Sequence, residues 1–307
     1  MRILRSIKEL SSLKGPIVLA VGTFDGLHRG HQSLIYRAMN EAEASGGTAV
    51  VMTFDRHPAS VVRPGRTPGL LTTNGTKISL LERMTVPALL LLEFTPEIAA
   101  IPADTFIDSI VEASHPLSMI IVGSQWSFGK GGEGNISLLL KLGEISGFSV
   151  VRIDPVKMHD HTISSTRIRN AIGAGDFDQA SQCLGRHWLL GGNVITGAGL
   201  GSTIGFPTAN LDVSGMQLPP DGVYAVRVTE GDRMLAGVCN IGVRPTVEDS
   251  AGRTVEVHLL DVSENLVGKE LFLEFVKFLR PERKFSGLPE LQAQIANDCV
   301  EARTILG

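Results

Sequence analysis

The chain has few cysteines and no excess of basic residues. Its 307 residues include only three cysteines, and these are far apart and form no Cys-x-x-Cys pair. This usage favours a reduced, cytoplasmic protein. The formal net charge is −4 and the isoelectric point is near 6.1, which argues against a surface that coats nucleic acid.

Long apolar runs are also missing. The most apolar stretch, Leu89–Leu92, is too short to cross a bilayer. Lys8, Glu9 and Lys14 interrupt the N-terminal region before any apolar segment develops, so no signal peptide is expected. The sequence has no internal repeat and no low-complexity tract. We therefore expect neither a membrane nor a nucleic acid as partner. We also expect a monomer or a weak homo-oligomer.

The length favours about two domains, and the pattern of the first half predicts an α/β domain. Short apolar runs alternate there with amphipathic stretches, which is typical of a parallel sheet covered on both faces. The predicted strands are Ile17–Val21, Thr48–Thr53, Ala88–Leu92, Met119–Val122 and Ser149–Ile153, and the predicted helices include Gln32–Ala44, Asp104–Ala113 and Ile136–Ile145.

The pattern changes after about residue 184 and predicts a small antiparallel β-barrel. The strand-like segments are Gly222–Val228, Met234–Ile241, Thr254–Leu260 and Leu271–Val276, with turns at Glu230–Asp232 and Asp249–Gly252. A final amphipathic helix, Pro289 to about Ile305, carries an apolar stripe. The boundary falls between Gly175 and Gly191, and we assign the domains to residues 1–183 and 184–307.

Residues 22–31 read Gly-Thr-Phe-Asp-Gly-Leu-His-Arg-Gly-His, directly after a predicted strand and before a predicted helix. Gly22, Gly26 and Gly30 allow a tight turn with close approach to a ligand, and the free N–H groups of the helix point at an anion there. His28 and His31 stand one helical turn apart, so both imidazoles can face one phosphate. A metal site and a polar helix cap are the alternatives for this pair. The decapeptide resembles the signature of the nucleotidyltransferase superfamily.

Two further segments of the first half favour nucleotide chemistry. Ser164, Ser165 and Thr166 open a predicted helix whose hydroxyl and N–H groups can hold phosphates, and Arg169 supplies a fixed cation. An ordinary N-cap with a solvated arginine is the alternative. The glycine-rich segment that ends at Lys130 is able to close over a nucleotide, although its spacing is not that of a Walker A loop and an ordinary loop is equally consistent with it.

The second domain contains Gly-Phe-Pro-Thr-Ala-Asn at residues 205–210. Thr208 and Asn210 offer two hard oxygen ligands that can face one Mg²⁺, and Gly205 allows close approach. Upstream, Gly199 and Gly201 belong to a flexible glycine-rich loop that is able to wrap the phosphates of ATP. A simple hairpin turn is the alternative.

Together, these motifs resemble the bacterial bifunctional riboflavin kinase/FAD synthetase family over essentially the whole chain. The pairing of a histidine-bearing turn with a Pro-Thr-Ala-Asn turn is far more specific than either motif. The matching segments are Gly22–His31, Phe54–Pro58, Ile163–Arg169, Leu184–Arg186, Gly205–Asn210, Gly222–Tyr224, Asn240–Thr246, Glu256–His258 and Leu279–Phe285.

The resemblance implies a Rossmann-like nucleotidyltransferase domain, a riboflavin kinase-like barrel, and two successive phosphate chemistries. In the barrel, Glu256 would act as general base on the ribityl hydroxyl of riboflavin, while Thr208 and Asn210 help to hold Mg-ATP, giving FMN. A solvated strand position is the alternative for Glu256. The flavin or nucleotide would also contact Arg280 near the end of the chain.

In the N-terminal domain, the phosphate of FMN would attack the α-phosphorus of ATP and release pyrophosphate, giving FAD. The protein would contribute alignment and charge stabilisation. The residues implied are Gly22, Phe24, Asp25, His28, Gly30, His31, Lys130, Ser164, Ser165, Thr166 and Arg169. Asp55 and His57 are expected near the same crevice, with a core or turn role as the alternative.

Four positions depart from the family's usual pattern. Leu200 stands where an arginine is common, Val267 replaces a tyrosine, Gln125 occupies a site that is more often acidic or Asn, and Arg56 replaces a proline. A missing cation at residue 200 removes a contact of order 1 to 3 kcal/mol if that contact is charge-assisted. The alternatives are therefore a single-activity adenylyltransferase with a weakened kinase half, or a flavin-binding regulator without turnover. An unrelated nucleotidyltransferase fused to another barrel ranks last.

Overall fold

A computed structural model describes residues 1–197, 199–243, 252–262 and 264–307. The chain forms two compact units, one of Met1–Leu70 with Asn74–Ser165 and the other of Leu71–Thr73 with Thr166–Gly307. The second unit thus includes the segment just before residue 184. The boundary between 183 and 184 stays a prediction about functional domains.

The first unit is built on a six-stranded parallel sheet, as the alternation of apolar and amphipathic segments predicts. Its strands lie in the order β1-β4-β3-β2-β5-β6. They are β1 (Arg2–Leu4), β2 (Ile17–Val21), β3 (Thr48–Phe54), β4 (Ala88–Leu92), β5 (Leu117–Gly123) and β6 (Ser149–Ile153). Of these six strands, the sequence pattern does not predict the edge strand β1. Its three residues, which pair with β4, are too few to give a periodic pattern.

Helices cover both faces of this sheet. They are α1 (Arg29–Ser45), α2 (Ala59–Val62), α3 (Asn74–Arg83), α4 (Pro96–Ala99), α5 (Ala103–Ala113) and α6 (Ile136–Ser146), and a short hairpin of β7 (Lys157–Met158) and β8 (His161–Thr162) follows β6. Two separate apolar clusters, one on each face, hold the layers together. The buried run of β2 contributes Leu19 to one cluster and Ala20 to the other, as expected for a strand covered on both sides.

The chain order of the strands reverses beside β2. From β2 the sheet grows through β3 and β4 on one side, and the chain then crosses over to place β5 on the other side of β2. Ligand crevices in such sheets form at the carboxyl ends of the strands, at this reversal. The Gly22–His31 turn follows the carboxyl end of β2 and therefore lies at the expected crevice.

The second unit contains a closed antiparallel barrel, which confirms the predicted fold class. Among the described residues it has six strands in the order β10-β13-β12-β11-β14-β9. They are β9 (Leu189–Ile195), β10 (Ala209–Asp212), β11 (Gly222–Glu230), β12 (Arg233–Val243), β13 (Arg253–Leu259) and β14 (Glu270–Arg280). The predicted turn at Asp249–Gly252 lies outside the described residues except for Gly252.

In the described part of the second unit, four helices accompany the barrel strands. They are α7 (Ser165–Gly173), α8 (Phe177–Leu184), the single turn α9 (Leu200–Thr203) and the terminal helix α10 (Leu288–Leu306). The predicted stripe on α10 packs on the barrel, with Cys299 and Ala302 buried and Ile295 partly buried in one cluster. Among the described residues, the structure contains no helix with the length and apolar character needed to cross a membrane.

Candidate functional site

The turn after β2 is held in an unusual backbone conformation. Phe24 and Leu27 have φ values of 48° and 45°, and Gly26 has a φ of 83°. A left-handed conformation costs a non-glycine residue free energy, so surrounding contacts must hold the turn in place. Phe24 and Leu27 are both completely buried, which supplies those contacts.

His28 is the N-cap of α1, and its Nδ1 accepts a hydrogen bond from the backbone N–H of His31 at 3.2 Å. His28 therefore caps the helix, and its contact with a phosphate stays a prediction. The two imidazoles also stack, with ring centroids 3.6 Å apart and planes 16° from parallel. Gly30 makes this stacking compatible with the helix, because a Cβ there would lie 3.1 Å from the His28 ring. The pair is thus brought together as predicted.

The His31 ring is desolvated. Burial, followed by the neighbouring His28 and Lys77, holds the pKa of His31 well below its ordinary value of 6.5. Its Nδ1 is buried and has no hydrogen-bond partner among the described residues. A neutral imidazole with an unmet polar atom is suited to receive a ligand group.

The residues predicted to hold phosphates at α7 are divided between the two units. Ser165 Oγ donates to the backbone oxygen of the buried Asp25 at 2.9 Å and so ties the start of α7 to the Gly22–His31 turn. Ser164 precedes it in the first unit, whereas Thr166 and Arg169 belong to the second. The start of α7 at Ser165 confirms that the segment Ile163–Arg169 opens a helix.

Lys130 lies in a loop that packs on the start of α5. Its backbone N–H donates to Ile101 O at 2.8 Å, and its side chain is exposed. Gly129 packs so closely on Ala103 that a Cβ would come within 2.5 Å of it. The loop is therefore anchored through its backbone, and a nucleotide contact from Lys130 stays a prediction.

Asp55 and His57 follow the carboxyl end of β3 and take part in local structure. Asp55 Oδ1 accepts the N–H of Phe94 at 2.9 Å, and Arg56 lies 3.3 Å from its other oxygen. Burial raises the pKa of Asp55, but the hydrogen bonds from Phe94 and Arg56 together outweigh it, so the pKa lies below its ordinary value. His57 Nδ1 accepts the N–H of Ala59 at 3.1 Å. These contacts favour the turn role that the sequence left open.

A row of polar side chains crosses three strands of the barrel. Asn210 on β10 pairs directly with Glu256 on β13, which in turn pairs with Asn240 on β12. Residues directly opposite one another share one face of a sheet. Val255 and Val257 are buried on either side of Glu256, so its carboxylate faces away from the barrel interior.

Thr208 reaches the same row from the turn before β10. Its Oγ1 donates to Glu256 Oε2 at 3.4 Å. Asn210 is buried, with 8% of its surface exposed, and its side chain occupies the space where Gly197 has no Cβ. The structure therefore brings Thr208, Asn210 and Glu256 together, as the sequence predicts.

We expect Gly197→Ala to impair this cluster. A Cβ at residue 197 would lie 2.1 Å from Asn210 Nδ2, so the amide must move. Misplacement of a positioning group by about 1 Å can cost roughly 100-fold in rate, and we expect the riboflavin phosphorylation that the resemblance implies to fall about 10-fold or more. Steady-state rates with Mg-ATP measure this, and unchanged conversion of FMN to FAD by the same variant serves as its control. Full kinase activity would show that the Asn210 position is not needed.

The glycine-rich loop before this turn is more ordered than its composition suggests. Gly199, with a φ of 73°, caps the single helical turn α9, and Gly201 O accepts the N–H of Phe206 at 2.8 Å. Gly205 also has a positive φ, of 85°. Leu200 is 58% exposed, so an apolar side chain occupies the surface where the family commonly has an arginine.

His258 is a residue whose role the sequence did not indicate. Its Nδ1 lies 2.7 Å from Pro207 O, and a carbonyl can only accept, so Nδ1 carries the proton. Its ring also meets Phe206 edge-on at 5.5 Å. His258 therefore fixes the backbone just before Thr208. The only sequence signal for this role is the Glu256–His258 motif, in which His258 follows the predicted general base by two residues.

A pocket of about 320 Å³ opens beside Thr208. Its walls come from the end of β9, the Pro-Thr-Ala turn, β13 and the loop before β14. They are Val194, Ile195, Thr196, Gly197, Ser202, Pro207, Thr208, Ala209, Val257, Leu259, Val262, Glu264, Asn265, Leu266 and Val267. Val267, one of the departures from the family pattern, is therefore a wall residue.

Arg280 ends β14 and is held by the terminal helix. Its guanidinium makes two hydrogen bonds through Nε and one of 2.7 Å through Nη2 to Asp298 of α10. Gln294 donates to the same carboxylate at 2.8 Å. The Arg280 side chain is 18% exposed and Asp298 only 4%, so α10 positions Arg280, which is predicted to bind the nucleotide or the flavin, through a buried ion pair.

Asp298→Asn should destabilise the second unit. The Arg280 charge would then stay buried without its counter-ion. Breaking a fully buried ion pair costs several kcal/mol, and for this pair, in which Arg280 is partly exposed, we expect a loss of about 2 kcal/mol in the free energy of unfolding. Urea unfolding measures the loss. Asp261→Asn is the control, because it removes an exposed ion pair between Asp261 and Arg303 of α10. It should cost less than about 1 kcal/mol. Equal effects of the two variants would contradict the assignment of Arg280–Asp298 as the buried anchor.

One predicted segment cannot be placed in this way. Residues 244–246 of the Asn240–Thr246 motif lie outside the described residues. Within the described ranges, no group of three or more His, Cys, Asp or Glu side chains has the arrangement of a metal site.

Two family models match the two halves of the chain. The FAD synthetase model matches residues 10–167 and the riboflavin kinase model matches residues 184–306. The bifunctional riboflavin kinase/FMN adenylyltransferase of Escherichia coli K12 is 36% identical over all of this chain and 98% of its own length. The protein of the same name from Bacillus subtilis is also 36% identical, over 93% of this chain and 91% of its own length.

A solved structure supports the same conclusion on the fold. A crystal structure described as a macrolide-efflux protein from Streptococcus pneumoniae covers 99% of both chains with a TM-score of 0.81 and 28% identity. The sheet, the barrel and the terminal helix thus occur together in that chain as well. The FAD synthetase model covers the sheet, and the riboflavin kinase model covers the barrel with the terminal helix. The chain belongs to the bifunctional riboflavin kinase/FMN adenylyltransferase family and is an enzyme of flavin cofactor biosynthesis.

Proposed function

We propose that the barrel phosphorylates riboflavin with Mg-ATP and that the parallel-sheet domain transfers the adenylyl group of a second ATP to the FMN so formed. The observation that carries the first step is the Asn210–Glu256–Asn240 row with Thr208 beside it. The second step is supported by the His28–His31 pair at the reversal of the sheet.

In the kinase step, the ribityl hydroxyl oxygen attacks the γ-phosphorus of ATP, and the bond to ADP breaks. We assign Glu256 as the general base that takes the hydroxyl proton. It is half-buried on the outer face of β13, where a substrate can reach it. Thr208, which donates to that carboxylate, and His258, which fixes the turn, keep the base in position.

The donor set of this site fits Mg²⁺. Thr208 and Asn210 offer neutral oxygens beside the Glu256 carboxylate, and hard oxygen donors are those that Mg²⁺ prefers. The two side chains would hold the ion together with the phosphates. When bound, Mg²⁺ neutralises charge on the transferred phosphoryl group.

We place the nucleoside of ATP in the 320 Å³ pocket beside Thr208. The pocket combines apolar walls, such as Val194 and Leu259, with polar side chains, such as Thr196 and Asn265, that a nucleoside can meet with hydrogen bonds. The phosphates would then meet the turn of Gly199, Gly201 and Gly205. Leu200 offers them no cation and Val267 no aromatic ring, which favours weaker ATP binding than is usual in the family.

In the adenylyl transfer, FMN brings its own nucleophile, so no covalent protein intermediate is needed. A phosphate oxygen of FMN attacks the α-phosphorus of ATP, and pyrophosphate leaves. We assign His28 and His31 to the charge that develops on the phosphate oxygens. Because His28 Nδ1 accepts the helix-cap hydrogen bond, a phosphate contact from this ring must come from Nε2.

Further groups complete the proposed adenylylation site. Lys130 and Arg169 would supply cations to the phosphates, and Ser164 to Thr166 would supply hydroxyl and N–H donors. Gly22, Phe24, Asp25 and Gly30 shape the turn that receives the nucleotide. We also propose a cytoplasmic enzyme that acts as a monomer or a weak homo-oligomer, with small molecules as its substrates.

The test is incubation of the purified protein with Mg-ATP and either riboflavin or FMN, followed by separation of the flavins by chromatography. We expect FAD from both substrates. FAD from FMN alone would show that the departures at Leu200 and Val267 have silenced the kinase. Flavin binding without turnover of either substrate would favour a regulator.

A further inference from the structure

The first unit contains a buried lysine that the proposed chemistry does not use. Lys77 lies on α3, outside every motif discussed above, and only 7% of its surface is exposed. A buried ammonium group is costly unless its hydrogen bonds are made. Its Nζ donates to Thr23 O and to Phe54 O, both at 3.3 Å.

These two carbonyls lie at the carboxyl ends of neighbouring strands. Phe54 is the last residue of β3, and Thr23 begins the turn that follows β2. Thr23 O also accepts the hydroxyl of Thr53 at 2.9 Å. The Lys77 side chain therefore joins α3 to the strand ends that line the nucleotide crevice.

Phe24, which follows Thr23 in the chain, connects the Lys77 hydrogen bond to the histidine pair. Phe24 has the left-handed φ of 48°, and its ring meets the His31 ring edge-on, with centroids 5.3 Å apart and planes at 80°. A shift of the Thr23 carbonyl would rotate the backbone at Phe24. The position of the His31 ring thus depends on the group that holds Thr23.

We propose that Lys77 is a positioning residue for adenylyl transfer, whose ammonium group holds the ends of β2 and β3 together and thereby places Phe24 against His31. The proposal rests on the proposed function of the Gly22–His31 turn. Lys77 acts through the backbone and through its charge, without touching a substrate.

The charge of Lys77 has a second consequence. Burial lowers the pKa of Lys77, while the nearby Asp25 and Asp55 oppose this change. Burial, then His28 and then Lys77 lower the pKa of His31. Removal of a positive neighbour makes the imidazolium less unfavourable, so loss of the Lys77 charge should raise the pKa of His31.

The test is Lys77→Met, which keeps the length and apolar stem of the side chain and removes its charge. We expect conversion of FMN to FAD to fall roughly 10- to 100-fold, while riboflavin phosphorylation stays within about twofold. Histidine NMR should show that the His31 ring titrates at higher pH than in the wild type. Lys141→Met, at an exposed position on α6, is the matched control and should change neither quantity.

Lys77→Arg separates the charge from a merely structural role. It should keep the low titration of His31 and recover part of the rate that Lys77→Met loses. Wild-type FAD formation with an unchanged His31 titration in Lys77→Met would overturn the proposal. If that variant does not fold, wild-type NMR decides, because a buried and hydrogen-bonded Nζ should show slow proton exchange and rapid exchange would overturn it. A wild type that makes no FAD from FMN contradicts the proposed function instead.

Discussion

Glu256→Gln should abolish the phosphorylation of riboflavin while leaving the conversion of FMN to FAD intact. Glutamine keeps the shape of the side chain and its hydrogen bond from Thr208, but it cannot take a proton from the ribityl hydroxyl. Loss of a general base typically costs about 10²- to 10⁴-fold in rate. Initial rates with saturating Mg-ATP and riboflavin, followed by chromatography of FMN, measure the effect.

The control for this experiment comes from the same barrel. Glu270→Gln changes an exposed carboxylate at the start of β14 and should leave both rates unchanged. A Glu256→Gln protein that still phosphorylates riboflavin at the wild-type rate would return Glu256 to the role of a solvated strand residue. A rate loss that is confined to KM, with kcat retained, would assign it to binding instead.

Much of the fold follows from local patterns in the sequence. The buried strands β2 and β4 have the predicted bounds, because each is a short apolar run that is covered on both faces. The edge strand β1 has only three residues, and β10 continues directly from the Pro-Thr turn, so neither gives a periodic signal of its own. Their pairing comes from neighbours that are distant in sequence.

The candidate sites also combine features that local sequence predicts with features that depend on distant contacts. The spacing within each motif does not show that Thr208 lies near Glu256. The register between β10 and β13 brings them together, and it also places Asn210 directly opposite Glu256. A lysine on a helix is usually solvated, so the sequence gives no sign that Lys77 is buried, and only the packing of α3 shows it. Asp298 is similar, since nothing local indicates that Arg280 will meet it.

His31→Ala should have the opposite effect to Glu256→Gln, with FMN adenylylation lost and riboflavin phosphorylation kept. The ring of His31 stacks on His28 and meets Phe24 edge-on, so its loss removes a proposed donor and also loosens the partner histidine. Removal of a single donor to a developing oxyanion commonly costs about 10²- to 10³-fold. The rate of FAD formation from FMN and ATP, compared with the kinase rate of the same preparation, measures it.

Two further variants show whether the donor or the packing matters. His31→Gln keeps an N–H donor on a shorter, flexible side chain and should recover only part of the activity, since its position is less fixed. His159→Asn changes an exposed histidine with a left-handed φ of 50°, which asparagine tolerates, and should leave both activities unchanged. Because the two chemistries are assigned to different motifs, a folded His31→Ala protein must retain the kinase rate. Loss of both activities in such a protein would contradict separate sites and would mean that the adenylylation turn supports the barrel chemistry as well.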